Sequence, residues 1–388
     1  MQIIYISHWR YPSAKVNSRV AIRTCQEFTD RGHISELWIP WRSNPQFKGV
    51  DPYDYHRVKR NFTIHRLPAL DLMGVFPGKL SFFLMVASFN FSVALYALFR
   101  RIAKTAVFYC LDVRDVVVLN LCGPILYFEA HDYYKTPAGW LNRWLYRSAR
   151  GITATTSMKM HSIQQEFGLP PERTLHKPCP VDTAMFRIDT SREEARIALG
   201  IPAQEKIIVY AGQVIFWKGA DTLLASHKYL GPDERIYIIV GGDDGVIEEF
   251  KSKHREANAE NVKVIEGQAH KDIPLWLRAA DVLALPNTAR DYNSKFNTSP
   301  VKLFEYMASG RPIVASDLPS IRNVVDESTA WLCEPDNPQS LVEAAHKALS
   351  NPKMSQEKCA RAQQESEKYD WKNRFDGIFK FIEATLVK

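Results

Sequence analysis

Residues 298–315 read TSPVKLFEYMASGRPIVA, a helical pattern followed by a short apolar run. Ser299 is a favourable helix N-cap, Pro300 suits the first helical position, and Gly310 closes the helix before an apolar run restarts at Ile313. A helix that leads directly into a short β-branched run is typical of a parallel sheet covered by helices. The opening turn of such a helix leaves backbone N–H groups free at the positive end of the helix dipole, which predicts an anion site.

The same alternation of apolar runs and helical patterns extends along the whole chain. A helix is predicted over 17–31, closed by Gly32. The predicted strands are 3–6, 36–39, 116–119, 125–128 and 152–155 in the first half, and 207–210, 236–240, 262–265, 282–286 and 313–315 in the second. This pattern predicts an α/β protein with two Rossmann-like domains, whose parallel sheets face each other across a cleft.

The predicted domains are residues 1–180 and 181–370, with a linker near 178–205. A C-terminal helix over 371–388 is expected to pack back on the first domain. A chain of 388 residues is longer than one hydrophobic core usually serves, which agrees with two domains of ordinary size.

The formal net charge of +7 is unevenly distributed. Residues 1–180 carry 23 Lys and Arg against 12 Asp and Glu, whereas residues 181–388 carry 27 against 31. The basic first half favours either a polyanionic partner, such as an anionic membrane surface, or a solvated face without a partner. Because no nucleic-acid-binding motif is found, we expect no nucleic-acid partner.

The six cysteines include no C-x-x-C pair, which argues against a zinc site or a disulfide framework and favours a reducing compartment. The apolar stretch 2–6 is too short for a secretion signal and lacks a basic leader. These features predict a cytoplasmic protein.

Residues 80–99 contain no charged side chain, and Lys79, Arg100 and Arg101 bracket them. Three interpretations remain open: a core helix of an α/β domain, an amphipathic helix at a membrane surface, and a spanning helix.

A second motif follows the strand 207–210. Gly212 at the end of the strand lets the backbone approach a ligand, and Lys218, just before Gly219, can reach back to a phosphate as a point charge. The alternative is ordinary turn chemistry with a solvated lysine. Glu305, in the second turn of the helix that opens at Ser299, can accept hydrogen bonds from sugar hydroxyls; the alternative is a surface glutamate.

Together these stretches resemble the GT-B glycosyltransferases, and within them the large retaining group called family 4, or glycosyl transferases group 1. The resemblance covers nearly the whole chain and is most specific in its second half. The segments that carry it are Arg31-Gly32-His33, Glu129-Ala130-His131-Asp132, Pro180-Val181-Asp182, 212–219, Val240-Gly241-Gly242, 281–286, 300–312 and a final helix near Trp371.

The resemblance implies a role for each matching position. Lys218 would contact the donor diphosphate, Glu305 would hold the ribose of the nucleotide, and His131 would lie under the sugar from the first domain. These three are the expected catalytic residues. The implied donor-binding set also comprises Gly212, Gln213, Gly267, Gln268, Asn297, Thr298, Ser299, Pro300, Val301 and Lys302. Residues 297–301 would hold phosphate and sugar, the stretch after Gly267 would line the base pocket, and Lys302 would assist unless it is solvated.

Three positions depart from the family pattern. Gln213 stands where the family commonly has an arginine, and Asn297 stands where its E-x7-E pattern has the first glutamate. The loop 13–18, often rich in glycine, reads Ser-Ala-Lys-Val-Asn-Ser. Because Asn297 can still hydrogen-bond a hydroxyl, we expect altered sugar recognition and an active enzyme.

Breaking the bond between an anomeric carbon and a diphosphate requires stabilisation of the departing negative charge. No two aspartates are two positions apart, so the Asp-x-Asp pair that binds a metal in many transferases is absent from the sequence. We therefore expect no metal and no cofactor, with Lys218 and the helix terminus near Ser299 in that role. Retention is implied by the family, and a front-face displacement is expected because no covalent nucleophile is identified.

The expected partners are a nucleotide sugar, such as a UDP- or GDP-sugar, and a glycan or lipid-linked acceptor. Polysaccharide or glycolipid synthesis at an anionic inner leaflet would explain the basic first half. Three alternatives use the same architecture: a nucleotide-sugar epimerase, a phosphorylase and a non-catalytic sugar-nucleotide-binding protein.

Overall fold

The computed structural model describes residues 1–13, 15–42, 44–131 and 139–386. Ala14 of the loop 13–18 and Asp132 of the segment 129–132 lie outside these residues. The chain divides into two compact units, of which the first comprises Met1–Lys177 with Phe375–Lys388 and the second comprises Pro178–Arg374.

The first unit is built on a seven-stranded parallel sheet of order β3-β2-β1-β4-β5-β6-β7. Its strands are β1 (Gln2–Ile6), β2 (Ile34–Pro40), β3 (Thr63–Leu67), β4 (Val107–Cys110), β5 (Ile125–Ala130), β6 (Gly151–Ala154) and β7 (Thr174–His176). Its helices are α1 (Val16–Asp30), α2 (Pro52–His56), α3 (Lys79–Phe99), α4 (Trp140–Ser148) and α5 (Ser157–Phe167).

Strand β1 lies at the centre of this sheet. Ile4 pairs with Glu36 of β2 on one side and with Phe108 of β4 on the other. Residues 3–6 are fully buried, as expected for a β-branched run covered by helices on both faces.

The second unit is built on a six-stranded parallel sheet of order β10-β9-β8-β11-β12-β13. Its strands are β8 (Lys206–Gln213), β9 (Glu234–Gly241), β10 (Val262–Ile265), β11 (Val282–Leu285), β12 (Ile313–Ser316) and β13 (Trp331–Cys333). Its helices are α6 (Thr183–Phe186), α7 (Arg192–Leu199), α8 (Ala220–Ala225), α9 (Asp244–Glu256), α10 (Ile273–Ala279), α11 (Val301–Ser309), α12 (Pro319–Arg322), α13 (Pro338–Ser350) and α14 (Pro352–Ser366). The last helix, α15 (Trp371–Leu386), begins in this unit, and its residues from Phe375 onward belong to the first.

Strand β8 is the central strand of the second sheet, with Ile208 opposite Ile236 of β9 and Val282 of β11. The chain runs from β8 outward to β9 and β10, and then crosses to β11 on the other side. The strand order therefore reverses between β8 and β11, where an α/β sheet forms a crevice beyond its carboxyl ends.

The prediction of an α/β fold with two parallel sheets is confirmed, and several details differ. The predicted strand 116–119 is wrong, because Val113–Val116 and Leu119–Cys122 form 3-10 turns. The strand that pairs with β1 and β5 is instead β4, which was not predicted, and β3, β7 and β13 were also missed. The segment 178–205, predicted as a linker, contains α6 and α7.

The uncharged segment 80–99 lies within helix α3, and both the buried and the exposed face of this helix are apolar. Phe89, Val93 and Ala97 are fully buried in the core of the first unit. Apolar side chains also cover the opposite face, where Phe83 is 66% exposed and Phe91 is 56% exposed. Among the described residues, α3 alone is long and apolar enough to cross a membrane, with a mean hydropathy of 1.9 over an 18-residue window of which 33% is buried.

Candidate active site

The loop after β8 is fixed against the end of the neighbouring strand β11. Gly219 has φ +73°, and a Cβ at this position would lie 1.7 Å from the carbonyl oxygen of Pro286. Only glycine fits such an approach. Ser294 adds a hydrogen bond from its hydroxyl to the carbonyl oxygen of Trp217, at 2.9 Å. The loop is thus held at the point where the strand order reverses.

Lys218 ends the 3-10 turn Phe216–Lys218 in this loop. Its ammonium group donates a hydrogen bond to Oε1 of Gln213 at 3.1 Å. Burial lowers the pKa of Lys218 to about 8, against the opposing influence of the Glu305 carboxylate. Gln213, which occupies the position where an arginine was expected, therefore positions the lysine through a neutral amide.

Helix α11 begins at Val301, and Pro300 occupies the N-cap position. The prediction that Ser299 is the N-cap is wrong, because the Ser299 hydroxyl accepts a hydrogen bond from the backbone N–H of Cys179 at 3.1 Å. No side chain caps α11 in the described chain. The first amides of the helix keep their capacity to bind an anion.

A π-helical turn, Asn293–Asn297, precedes this helix. The Asn297 side chain is 7% exposed and donates a hydrogen bond to Oδ1 of Asn293 at 3.0 Å. Thr298 and Val301 are half-buried. The segment 297–301 thus lies directly before and at the uncapped terminus, as its predicted role requires.

Glu305 is buried, with 9% of its surface exposed, so it is not a surface glutamate. Its Oε1 lies 3.0 Å from Nε2 of His270, a residue that the sequence did not single out. His270 follows Gly267 and Gln268 in the loop after β10. The structure therefore brings this loop to α11, although only the resemblance had linked the two segments.

Gly267 and Gln268 differ in what surrounds them. Gly267 has φ +71°, and a Cβ there would meet no atom within 4 Å. The Gln268 side chain accepts a hydrogen bond from Nε1 of Trp276 at 2.9 Å, so it is held in place by α10.

Lys302 is the second residue of α11 and is 7% exposed, so it is not the solvated lysine considered as an alternative. Its ammonium group lies 3.7 Å from the centroid of the Tyr210 ring. Gly212 has φ +150°, and a Cβ there would lie 2.8 Å from Nζ of Lys302. The donor-side residues predicted from the sequence are thus gathered at the carboxyl edge of one sheet.

His131 belongs to the first unit and directly follows β5. Its Nε2 lies 2.5 Å from Oε1 of Glu129, which is fully buried. Its carbonyl oxygen accepts a hydrogen bond from Nζ of Lys159 at 2.5 Å. The predicted catalytic histidine is therefore held at the carboxyl edge of the first sheet by a carboxylate on its own strand.

A second histidine at this edge, His8, was missed by the sequence reasoning. Its Nδ1 lies 2.6 Å from Oδ1 of Asp115, and both side chains are almost fully buried. Burial alone lowers the pKa of His8, but the Asp115 carboxylate outweighs it and raises the pKa. The two residues follow β1 and β4, so their proximity could be found only once β4 was recognised.

Comparison with solved structures identifies the fold of this chain. A sucrose-phosphate synthase from Thermosynechococcus elongatus aligns over 100% of the chain and 99% of its own length, with a TM-score of 0.79 and 15% identity. Anabaena Alr3699/HepE in complex with UDP-glucose aligns over 99% and 100%, with a TM-score of 0.73 and 17% identity. The fold is that of the GT-B glycosyltransferases.

Residues 191–368 match the sequence model of the family described as Glycosyl transferases group 1. The resemblance to glycosyl transferases group 1 is thus confirmed over this segment. The D-inositol 3-phosphate glycosyltransferase of Jonesia denitrificans is 26% identical over 250 residues, which cover 61% of this chain and 57% of the relative. The match thus spans little more than half the length of that curated relative.

Proposed function

We propose that this chain is a retaining, metal-independent glycosyltransferase that moves a sugar from a nucleotide-sugar donor to a glycan or lipid-linked acceptor. One observation carries the proposal: Lys218, Glu305 and the uncapped terminus of α11 lie together at the carboxyl edge where the second sheet reverses its strand order. A ligand of this edge is expected to be an anion that also presents hydroxyl groups.

The chemistry follows from the charge that develops when the sugar leaves. The anomeric carbon becomes cationic and the diphosphate gains negative charge, which Lys218 and the first amides of α11 would stabilise. The absence of an Asp-x-Asp pair from the sequence supports a reaction that uses these groups in place of a metal ion. Glu305 would accept hydrogen bonds from the ribose hydroxyls.

Retention of configuration is part of the proposal because group 1 relatives are expected to retain it. No side chain at the donor edge is identified as a covalent nucleophile. A front-face displacement, in which the acceptor attacks from the side that the diphosphate leaves, is therefore the proposed course. His131, at the carboxyl edge of the first sheet, is the third proposed catalytic residue.

The decisive assay supplies UDP- and GDP-sugars together with candidate acceptors and measures nucleoside diphosphate release, in the presence and absence of excess chelator. A thermal-shift screen identifies the donor first, because a ligand that binds the folded state raises its melting temperature by mass action. Turnover that persists with chelator is expected. Loss of all turnover with chelator contradicts the metal-free mechanism, and an isomerised donor without acceptor identifies an epimerase instead.

We also propose that the exposed face of α3 docks on the anionic inner surface of a membrane. Its outward side chains follow a single helical stripe, from Leu80 at 72% exposed through Phe91 and Leu95 to Phe99 at 85% exposed. Lys79, Arg101 and Lys104 are exposed around its two ends. Apolar insertion flanked by basic side chains matches the surface of an anionic bilayer.

A spanning arrangement of α3 would remove Phe89 and Val93 from the core of the first unit, so we propose that the helix lies in the membrane surface. Docking there would place the enzyme at a lipid-linked acceptor on the cytoplasmic side. Sedimentation with anionic and with neutral vesicles tests this proposal. The combined change Phe83→Ser, Phe91→Ser and Leu95→Ser should abolish binding, whereas Ile197→Ser, at an exposed apolar residue of α7, should not. Equal binding to both vesicle types would show that electrostatic attraction does not contribute to docking.

A further inference from the structure

Lys302 is buried without a compensating partner. Its side chain is 7% exposed, and its ammonium nitrogen has no hydrogen-bond partner among the described residues. Lysine ordinarily extends its stem over apolar surface and keeps its ammonium group in water. The nearest group that favours the charge is the face of the Tyr210 ring, at 3.7 Å, which cannot satisfy three N–H donors.

The ammonium group of Lys302 lies at the backbone of the last residues of β8. A Cβ on Gly212 would stand 2.8 Å from Nζ and 3.0 Å from Cε of Lys302. The glycine therefore leaves the space that the lysine needs in order to reach this edge of the sheet. Tyr306 reinforces the arrangement, because its hydroxyl accepts a hydrogen bond from the backbone N–H of Ala211 at 2.9 Å.

Four ionisable groups influence or face this ammonium group. Lys218, from the loop after β8, repels it, and Glu305, on the same helix, attracts it. Tyr210 and Tyr306 are buried phenols whose pKa values are raised by burial, so they stay uncharged near neutral pH. Glu305 is already engaged by His270. The one nearby carboxylate is thus already engaged and does not compensate the Lys302 amine, which stays available to an anionic ligand.

We propose that Lys302 is the second phosphate-binding ammonium group of this site, and that it takes up a proton when the diphosphate of the nucleotide sugar binds. This inference rests on the proposed function. It also accounts for Gln213, because the cation expected directly after Gly212 is supplied instead by α11. A diphosphate beside Lys218 and Lys302 would offset the repulsion that disfavours a second positive charge there and would accept hydrogen bonds from the Lys302 N–H groups.

Proton uptake on binding follows from the surroundings of the Lys302 amine. Burial lowers the pKa of Lys302 well below its ordinary value, and the charge of Lys218 lowers it further. A nearby diphosphate stabilises the ammonium form, so Nζ gains a proton from solvent on binding. No covalent bond forms or breaks in this step.

Isothermal titration of the full chain with UDP at pH 7.5, in two buffers of different ionisation enthalpy, measures the protons taken up. The parent should take up close to one proton more per UDP than Lys302→Met. Because the ligand is the same, any proton exchanged by UDP itself cancels in this difference. Lys302→Met should also bind UDP about tenfold or more weakly, as expected for a lost charge-assisted hydrogen bond. Lys295→Met, at a half-buried lysine shortly before α11, is the matched control and should behave as the parent.

Two results distinguish failure of the inference about Lys302 from failure of the proposed function. If Lys302→Met binds UDP with the affinity and the proton count of the parent, the inference about Lys302 is wrong and the proposed function stands. If the parent binds neither UDP nor GDP, the proposed function fails and takes this inference with it. Should Lys302→Met not fold, Lys302→Gln carries the same expectation, because its amide cannot be protonated near neutral pH.

Discussion

At the carboxyl edge of the first sheet, His8 lies 2.6 Å from Asp115 and His131 lies 2.5 Å from Glu129. At the corresponding edge of the second sheet, neither Lys218 nor Lys302 forms an ion pair with a described residue. The two edges share a strand topology, and the second also holds one pair, His270 with Glu305, but its two lysines are not paired with a carboxylate among the described residues. The first edge therefore holds its histidines in fixed positions, whereas the unpaired lysines of the second edge agree with the proposal that it binds an anion.

The largest effect is expected from breaking a pair at the first edge. Asp115→Asn leaves the buried His8 without its carboxylate, which should cost about 3 kcal/mol or more of the free energy of unfolding. Urea unfolding followed by circular dichroism measures this loss. The matched control is Asp54→Asn, at an exposed ion pair with Arg60, which should change the free energy by less than about 1 kcal/mol. Equal effects of the two changes would mean that the buried His8–Asp115 pair contributes no more to stability than an exposed ion pair.

Removal of the loop cation at the second edge should act on catalysis. Lys218→Ala should lower kcat by about a hundredfold or more, the usual result of losing one group that stabilises transition-state charge. Steady-state release of the nucleoside diphosphate gives the value. Lys228→Ala, at an exposed lysine of the same unit, is the control. A kcat within threefold of the parent removes Lys218 from the proposed mechanism.

The change Lys302→Met is expected to stabilise the protein, whereas Asp115→Asn destabilises it. Lys302→Met replaces a buried amine that lacks hydrogen bonds with an apolar side chain of similar length. The free energy of unfolding without ligand should therefore rise by about 1 to 3 kcal/mol, in contrast to the loss at Asp115. Urea unfolding at pH 7.5 tests this gain. A destabilised variant would show that the amine has a structural partner.

The smallest effect is a pH dependence of donor binding. The pKa of Lys218 is lowered to about 8, so the ammonium form is lost as pH rises through that value. Affinity for UDP should fall between pH 7.5 and 9, and the part of this fall that belongs to Lys218 should be missing in Lys218→Met. The first edge should not contribute to this profile. A flat profile in the parent would contradict the role of both ammonium groups.

Much of the fold followed from the sequence, because β-branched apolar runs that alternate with helical patterns specify parallel sheets. The errors have physical causes. The runs at 116–119 and at β4 are both short and apolar, and periodicity cannot distinguish a buried strand from a buried turn. Ser299 has the chemistry of an N-cap, but the N–H of Cys179, distant in sequence, uses its hydroxyl.

The candidate site was predicted less completely than the fold. Lys218, Glu305 and Asn297 follow from their positions relative to strands and a helix, together with the family resemblance. The burial of Lys302 could not be predicted, because it depends on Tyr210 and Gly212 of another element. The pairing of His8 with Asp115 likewise requires two strands that are adjacent in the sheet, although the two residues are 107 positions apart in the chain.

The two glycines Gly219 and Gly267 set different limits on redesign of this protein. Gly219 has no room for even one methyl group beside the Pro286 carbonyl, so this position does not tolerate exchange. Gly267 faces open space, at the end of an edge strand. If the proposed function holds, variation of the residues after Gly267 should change the preferred nucleotide and leave the binding of the leaving group intact.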